Sequence, residues 1–367
     1  MNILFYYPDK ERAVSLSSLM IAFRKQGHQV FLLTHSMEGN LHREVKKHDV
    51  GTFSYPIKKN ISFLFYLKHI LYLASFTRKH NIDIVYSHIQ RSNFISAFAQ
   101  YLSPSRFILC RHHSDCVYVD YNFTERLFDI IINRLGREFI VPSQMVLTQV
   151  KIKEKVRTKK IHLIRYGYNF DEYSKPDPDE VRKIRNTYNC NLLLIKVARL
   201  IPEKRHIILF RTVKNLVEKG YDIKLLVPSD GREREVLHKF IVDNHLEDHI
   251  YLLGYQDHVM NLVAASDLVV HVSCSEASNN FIKEVSLLEK PVIVCSGVGD
   301  FDEYITDGLN GIKISKDASP AELENILEKV YLDKIDIHTL GKKLRQDVVQ
   351  LFGIDNIIKS YSVFHEN

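Results

Sequence analysis

Apolar runs of strand length alternate with stretches of helical periodicity along most of the chain. Residues 3–7, 30–34, 82–86, 107–110 and 138–141 read as buried strands. Between them, residues 15–26, 62–79, 93–102, 123–135 and 144–155 read as helices. In the first of these, Leu16, Leu19, Met20 and Phe23 share one face, and Gly27 follows as a stop. Strands separated by helices in this rhythm predict parallel βαβ units in a doubly wound sheet.

The rhythm breaks over residues 169–191, where Pro176, Pro178 and a cluster of acids suit a linker followed by a short helix. A second series then begins, with strands at 192–197, 223–227, 250–253 and 268–272 and helices at 207–219, 232–245 and 259–265. A last helical stretch, 354–361, is expected to pack back on the first half. The expected organisation is an α/β protein of two Rossmann-like domains with a central cleft at the carboxyl ends of both sheets. Residues 1–170 form the first domain, 171–190 the linker and 191–353 the second, with 354–367 returning to the first. A length of 367 residues agrees, since domains run to about 100–200 residues.

Residues 271–299, HVSCSEASNNFIKEVSLLEKPVIVCSGVG, predict a strand end, a polar loop, a helix, a strand and a glycine turn. Glu276 stands in the loop, where a ligand would meet the helix N-terminus and its N–H groups. With the helix started near Asn280, a wheel of about 100° per residue puts Phe281, Val285 and Leu288 on one face. Glu284 falls among these apolar neighbours, so it either snorkels at the edge of the face or meets a hydroxyl-bearing ligand.

Composition narrows the class. Hydrophobic residues at 45% and charged residues at 26% fit a soluble globular protein with sizeable cores. The net charge of +6 is dispersed; it favours anionic ligands, phosphates or an anionic lipid surface and does not indicate nucleic acid. Five cysteines without a C-x-x-C pair argue for a reducing compartment. The start MNILFYYPDK reads as a strand and loop rather than a secretory signal. Residues 61–76, interrupted by Lys68 and His69, fall short of the roughly 20 apolar residues of a spanning helix, so a cytoplasmic protein is expected. Helix 62–79 carries Phe63, Phe65, Tyr66, Tyr72 and Phe76 around its wheel, with Lys58, Lys59, Lys68, Arg78 and Lys79 nearby. That pattern fits a core helix, and it also fits peripheral contact with the inner face of a membrane.

In the first half, Arg111, His112, His113, Ser114 and Asp115 follow the strand ending at Cys110, at an edge where α/β clefts form. His88, after the preceding strand, is a second candidate at such an edge. Reading His112 and His113 with Asp115 and Cys116 as a metal site is disfavoured, because adjacent residues at one strand end seldom supply convergent ligands. No Asp-x-Asp motif for a divalent cation occurs.

Several segments together are specific. VARLIPEK at 197–204 is similar to an Arg-x4-Lys segment, and SCSEASNNFIKE to a Glu-x7-Glu motif. IRYGYNFDEY at 164–173 and DGLNG ending at Gly311 complete the order and spacing. Most of the chain thereby resembles the family-4 retaining glycosyltransferases of the GT-B fold. The resemblance implies Arg199 and Lys204 on a donor diphosphate, Glu284 on the nucleotide ribose and Glu276 on the transferred sugar. It implies amides of Ser278, Asn279 and Asn280 at the phosphates, and His112 or His113 beside the reacting sugar. Fixed cations aimed at a diphosphate stabilise the charge that builds up as the glycosidic bond breaks, which is the work of a metal ion in other transferases. The expected activity is metal-independent transfer of a hexose from a nucleotide sugar, a UDP-sugar, to a glycan or lipid-linked acceptor in capsule or lipopolysaccharide assembly. A nucleotide-sugar epimerase and a catalytically silent binding subunit are the rival expectations on the same fold.

Some positions depart from the family pattern. The first loop, usually glycine-rich, reads Pro8-Asp9-Lys10-Glu11-Arg12, so Lys10 or Arg12 would replace backbone contacts by charge on the acceptor side. Ala277, Ser278, Asn279 and Asn280 stand in place of the usual glycines, and Pro228-Ser229-Asp230-Gly231 in place of a more glycine-rich turn. These changes bear on which sugar is accepted.

Overall fold

The computed structural model describes residues 1–11, 13–56, 63–112, 123–173 and 175–365. It divides into two units, residues 1–170 with 352–367, and residues 171–351.

The first unit is built as β1 (Asn2–Tyr7), α1 (Val14–Lys25), β2 (Gln29–Thr34), α2 (Asn40–Lys46), β3 (Gly51–Ser54), α3 (Phe63–Lys79), β4 (Ile84–His88), α4 (Gln90–Ala99), β5 (Arg106–Cys110), α5 (Phe123–Leu135), β6 (Glu138–Val141), α6 (Gln144–Thr148) and β7 (Ile161–Leu163). All pairings are parallel, in the order β3-β2-β1-β4-β5-β6-β7. Both faces of β1 are covered, which is why its apolar run is continuous. Ile3 and Phe5 pack with Leu16, Leu19, Met20 and Phe23 of α1, while Leu4 and Tyr6 pack with Leu73 and Phe76 of α3. Ile357, Ile358, Tyr361 and Phe364 of the C-terminal segment join the α1 side of this core. A Cβ on Gly167 would come within 2.7 Å of Ile354 Cδ1, so the segment rests directly on backbone.

The second unit runs α7 (Pro178–Thr187), β8 (Leu192–Ile195), α8 (His206–Glu218), β9 (Ile223–Val227), α9 (Arg234–Asp243), β10 (Ile250–Leu252), α10 (Val259–Ala265), β11 (Leu268–His271), α11 (Asn280–Leu287), β12 (Val292–Cys295), α12 (Phe301–Tyr304), β13 (Ile312–Ile314), α13 (Pro320–Tyr331) and α14 (Ile337–Phe352). Its parallel sheet has the order β10-β9-β8-β11-β12-β13. Chain direction across each sheet reverses once, between β1 and β4 in the first and between β8 and β11 in the second. Ligand sites in such sheets form at the carboxyl ends of those two strands.

Several elements differ from the sequence pattern. Residues 144–155 form only the short α6 and a π-helical turn, Gln149–Lys153. The final segment is helical over Ile354–Ile357 and continues as a 3-10 helix over Ile358–Phe364. The stretch 171–190 is tied into the second unit: Asp177 caps α7 at the Asp179 and Glu180 amides, and Arg185 pairs with Asp267 at 2.8 Å. On α3 the aromatics Tyr66, Tyr72 and Phe76 turn inward, and the exposed positions include Leu64, Leu67, Lys68, Leu71, Ser75, Arg78 and Lys79.

Candidate active site

The loops after β8 and β11 converge on one carboxylate. Beyond β8 the chain passes Arg199 and makes a 3-10 turn, Pro202–Lys204. Lys204 Nζ reaches Glu276 Oε1 and also donates to Ser275 O at 3.3 Å. His271, the last residue of β11, places Nε2 at 2.7 Å from the same Oε1. The backbone N–H of Cys274 donates to Glu203 O at 3.0 Å, which locks the two loops together. Lys204 and Glu276 are 15% and 12% exposed at their side chains, so this ion pair is screened little.

Burial alone would raise the Glu276 carboxyl, but the His271 hydrogen bond and the Lys204 ammonium outweigh it and hold the pKa down to about 2. We assign the proton to His271 Nε2, since this nitrogen must donate to an ionised carboxylate; burial keeps the ring's own pKa low. Gly299, at φ +57°, backs the carboxylate: a Cβ there would lie 2.7 Å from Glu276 Cβ. Glycine therefore fits this turn on both counts.

Beneath these groups lies Lys196, wholly buried, whose Nζ makes no hydrogen bond among the described residues. Burial pushes its pKa down to about 7, with Cys295, Lys204, Glu276 and His206 as its charged or titratable neighbours. Burial likewise raises the Cys295 thiol to about 11. Arg199, by contrast, is exposed, and its side chain has no hydrogen bond or ion pair among the described residues.

The helix after the loop is rotated relative to the expected wheel. Asn279 is its N-cap, its Oδ1 accepting from the Ile282 N–H at 2.9 Å, and the buried side chains are Ile282, Lys283, Val285 and Ser286. Glu284 is half-buried, so the costly buried charge on α11 is Lys283. One of the amides expected at the phosphates is already engaged within the protein. The Asn279 N–H donates to Asp300 Oδ1 at 3.2 Å, and Asn280 is exposed as the first helical residue.

In the first unit, His88 ends β4 at the direction change of the sheet. Its Nδ1 lies 3.0 Å from His112 Nε2, and His112 Nδ1 meets the Tyr166 hydroxyl. His88 also stacks on Phe5, and burial drops its pKa to about 3, so it is neutral at physiological pH. The adjacent Arg111 is buried and structural, paired with Glu154 at 2.9 Å and Asp129 at 3.2 Å. Lys10 is exposed at the end of β1's loop. Arg12 and His113 lie outside the described residues, as do Asp115 and Cys116. Among the described residues, no group of three or more His, Cys, Asp or Glu is arranged to hold a metal ion.

Sequence reasoning passed over His271, Lys196, Lys283, Asp300 and Tyr166. Lys196 was the most accessible of these, a lysine inside the apolar run LLLIKVA.

Comparison with known proteins decides the family. The Glycosyltransferase Family 4 pattern matches residues 13–172 and the Glycosyl transferases group 1 pattern residues 177–347. The chain is a family-4, group 1 glycosyltransferase. This glycosyltransferase is 24% identical to the N-acetyl-alpha-D-glucosaminyl L-malate synthase of Bacillus anthracis over 362 residues, 93% of this chain and 90% of the relative. It is 23% identical over 363 residues to the capsular polysaccharide biosynthesis glycosyltransferase CapM of Staphylococcus aureus, covering 95% and 93% of the two chains. In fold it matches the Anabaena protein Alr3699/HepE, solved in complex with UDP, at a TM-score of 0.83 and 20% identity over 100% of both chains. Its architecture is GT-B.

Proposed function

We propose that this glycosyltransferase is a retaining, metal-independent enzyme moving a hexose from a nucleotide sugar, a UDP-sugar, to a hydroxyl of a glycan or lipid-linked acceptor in surface polysaccharide biosynthesis. The observation that carries the reading is the Lys204–Glu276–His271 group at the β8/β11 direction change, with the exposed Arg199 five residues before Lys204 in the same loop. Arg199 and Lys204 hold the diphosphate, Glu284 the ribose and Glu276 the sugar hydroxyls. Ser278, Asn279 and Asn280 shape the sugar side, and His112 is the first-unit group assigned to the reacting sugar. His88, buried behind His112, orients it through the 3.0 Å contact. Lys10 is assigned to the acceptor side.

In the reaction, the bond from the anomeric carbon to the phosphate oxygen breaks and its electron pair stays on the diphosphate. The acceptor oxygen bonds to the anomeric carbon on the same face, and its proton passes to the departing phosphate oxygen. Both cations act where charge develops, so they favour the transition state over the ground state. The UDP complex of the Anabaena protein and the capsular role of the Staphylococcus relative support the donor and the pathway class.

A panel of nucleotide sugars, assayed without acceptor and with a chelator present, tests this reading. Slow hydrolysis of one hexose nucleotide, undiminished by the chelator, is expected. Binding of none, isomerisation of the donor alone, or an absolute need for a divalent cation would overturn it.

Contact with an anionic membrane belongs to the same proposal. Leu64, Leu67 and Leu71 of α3 and Phe123, Leu127 and Ile130 of α5 are exposed, with Lys68, Arg126 and Arg134 beside them. Tyr66 of α3 and Phe128 of α5 have rings 5.4 Å apart, and both also pack on Phe94 of α4. Among the described residues no helix is long and apolar enough to cross a membrane. Vesicles containing phosphatidylglycerol should float the protein and neutral vesicles should not; a Leu67→Asp/Ile130→Asp variant should bind about tenfold less or weaker. Equal recovery from both vesicle types would remove this part of the account.

A further inference from the structure

Behind the sugar-side loop lies an ion pair that none of the assigned donor contacts uses. Lys283 and Asp300, 0% and 1% exposed at their side chains, pair at 2.6 Å. Lys283 Nζ also donates to Ser278 Oγ and to Asn279 O, each at 3.0 Å. Asp300 Oδ2 accepts from Ser278 Oγ at 2.6 Å, and Oδ1 from the Asn279 N–H at 3.2 Å. The pair therefore fixes the Ser278 side chain and both backbone polar groups of Asn279. Asn279 Nδ2 packs 3.1 Å from His271 Nε2, a contact between two donors that sets the spacing of the loop from His271 without a hydrogen bond. Asp300 also follows Gly299, the glycine that backs Glu276, so one turn supplies both supports.

Such a pair is a poor device for stability alone. Desolvating two charges cancels much of their attraction, and apolar replacements of buried pairs are often neutral or stabilising. Its directional hydrogen bonds do something an apolar pair cannot, holding a loop without glycine in one geometry.

We propose that Lys283 and Asp300 are positioning residues that determine which donor sugar the Glu276–Asn279 loop accepts, acting on the sugar and leaving the diphosphate contacts unchanged. This rests on the donor-site reading above. The pair reaches the loop on its Ser278–Asn279 side, whereas Arg199 and Lys204 come from the loop after β8. Sugar recognition and nucleotide binding should therefore separate.

The test is a Lys283→Met/Asp300→Asn variant, which removes both charges and keeps an Oδ1 acceptor for Asn279. Melting confirms folding, and binding of nucleoside diphosphates and of nucleotide sugars differing in the hexose is then compared with the wild type. Nucleoside diphosphate affinity should stay within about twofold, while discrimination between the favoured and disfavoured hexose, measured as the ratio of kcat/KM, should fall about tenfold or more. Lys283→Met alone, which leaves Asp300 with two donors, should shift the ratio in the same direction. A folded double variant with unchanged discrimination would overturn the inference and leave the donor reading standing. Failure of both variants to fold would assign the pair to stability and also overturn it. If the wild type binds no nucleoside diphosphate, it is the donor reading that fails.

Discussion

Lys204→Ala lowers kcat/KM by about 10²–10³-fold in this account, the range found when one preorganised donor to developing charge is removed. Two effects combine at this residue. The departing diphosphate loses a charge-assisted contact worth about 1.5–3 kcal/mol. Glu276, 12% exposed at its side chain, also loses its nearest positive charge. The second effect has a separate signature in pH. In the wild type the carboxyl is held down to about 2, so no acid limb from Glu276 is expected above pH 4. Burial, the largest influence on this group, opposes ionisation, and without Lys204 the His271 hydrogen bond is the main influence left to counter it. The acid limb should then move up into the measurable range. A pH–rate profile of Lys204→Ala that keeps the wild-type shape and rate would contradict the pairing of these two residues in function. For folding, the sign is the usual carboxylate one. The depressed pKa contributes stability above the unfolded value of about 4.5, and the contribution is lost as pH falls toward 2.

The second large effect is a gain. Lys196→Met should raise the stability of the protein at pH 7 by about 1–4 kcal/mol, because it removes a buried cation that has no partner among the described residues and substitutes a side chain of similar length. The wild type should carry the matching pH dependence. With a folded pKa of about 7 and an unfolded value of 10.5, the unfolded chain holds the proton over a range where the native state has released it. Stability should consequently rise with pH from about 7 toward 10.5 and level off below 7, and Lys196→Met should remove that rise. Denaturant titrations of both proteins across this range measure it. A destabilised Lys196→Met, or a wild type without the alkaline rise, would show that Nζ is satisfied in the folded protein. The cation also lies next to Lys204 and Glu276, where a locally unfavourable charge can serve an anion-binding site at the expense of stability.

Much of the architecture was legible in the sequence because parallel strands covered on both faces leave uninterrupted apolar runs. Residues 3–7 and 223–227 read directly as β1 and β9 for this reason. Strands such as β3, GTFS at the sheet edge, and the three-residue β7 carry too little apolar pattern to stand out. Helix α11 shows how a correct element can carry a wrong face. The period was right, but the rotation depends on Asn279 acting as N-cap, and it puts Ile282, Val285 and Ser286 inward with Lys283. A buried lysine is invisible to a hydrophobicity pattern, which reads every lysine as solvated. Its partner Asp300 is 17 positions away, so only the fold reveals the pair. The same limit applies to His271, whose role depends on Glu276 folding back onto the end of β11. Motif spacing did bring Lys204 and Glu276 into one hypothesis, although they are 72 residues apart in sequence.

The central claim is that the loops after β8 and β11 form a nucleotide-sugar donor site. A crystal structure of the protein with a bound nucleoside diphosphate measures this directly. The account predicts diphosphate oxygens about 2.7–3.2 Å from Lys204 Nζ and from the Arg199 guanidinium, with a ribose hydroxyl at Glu284. A diphosphate bound away from Arg199 and Lys204, or a ribose with no contact to Glu284, would contradict it.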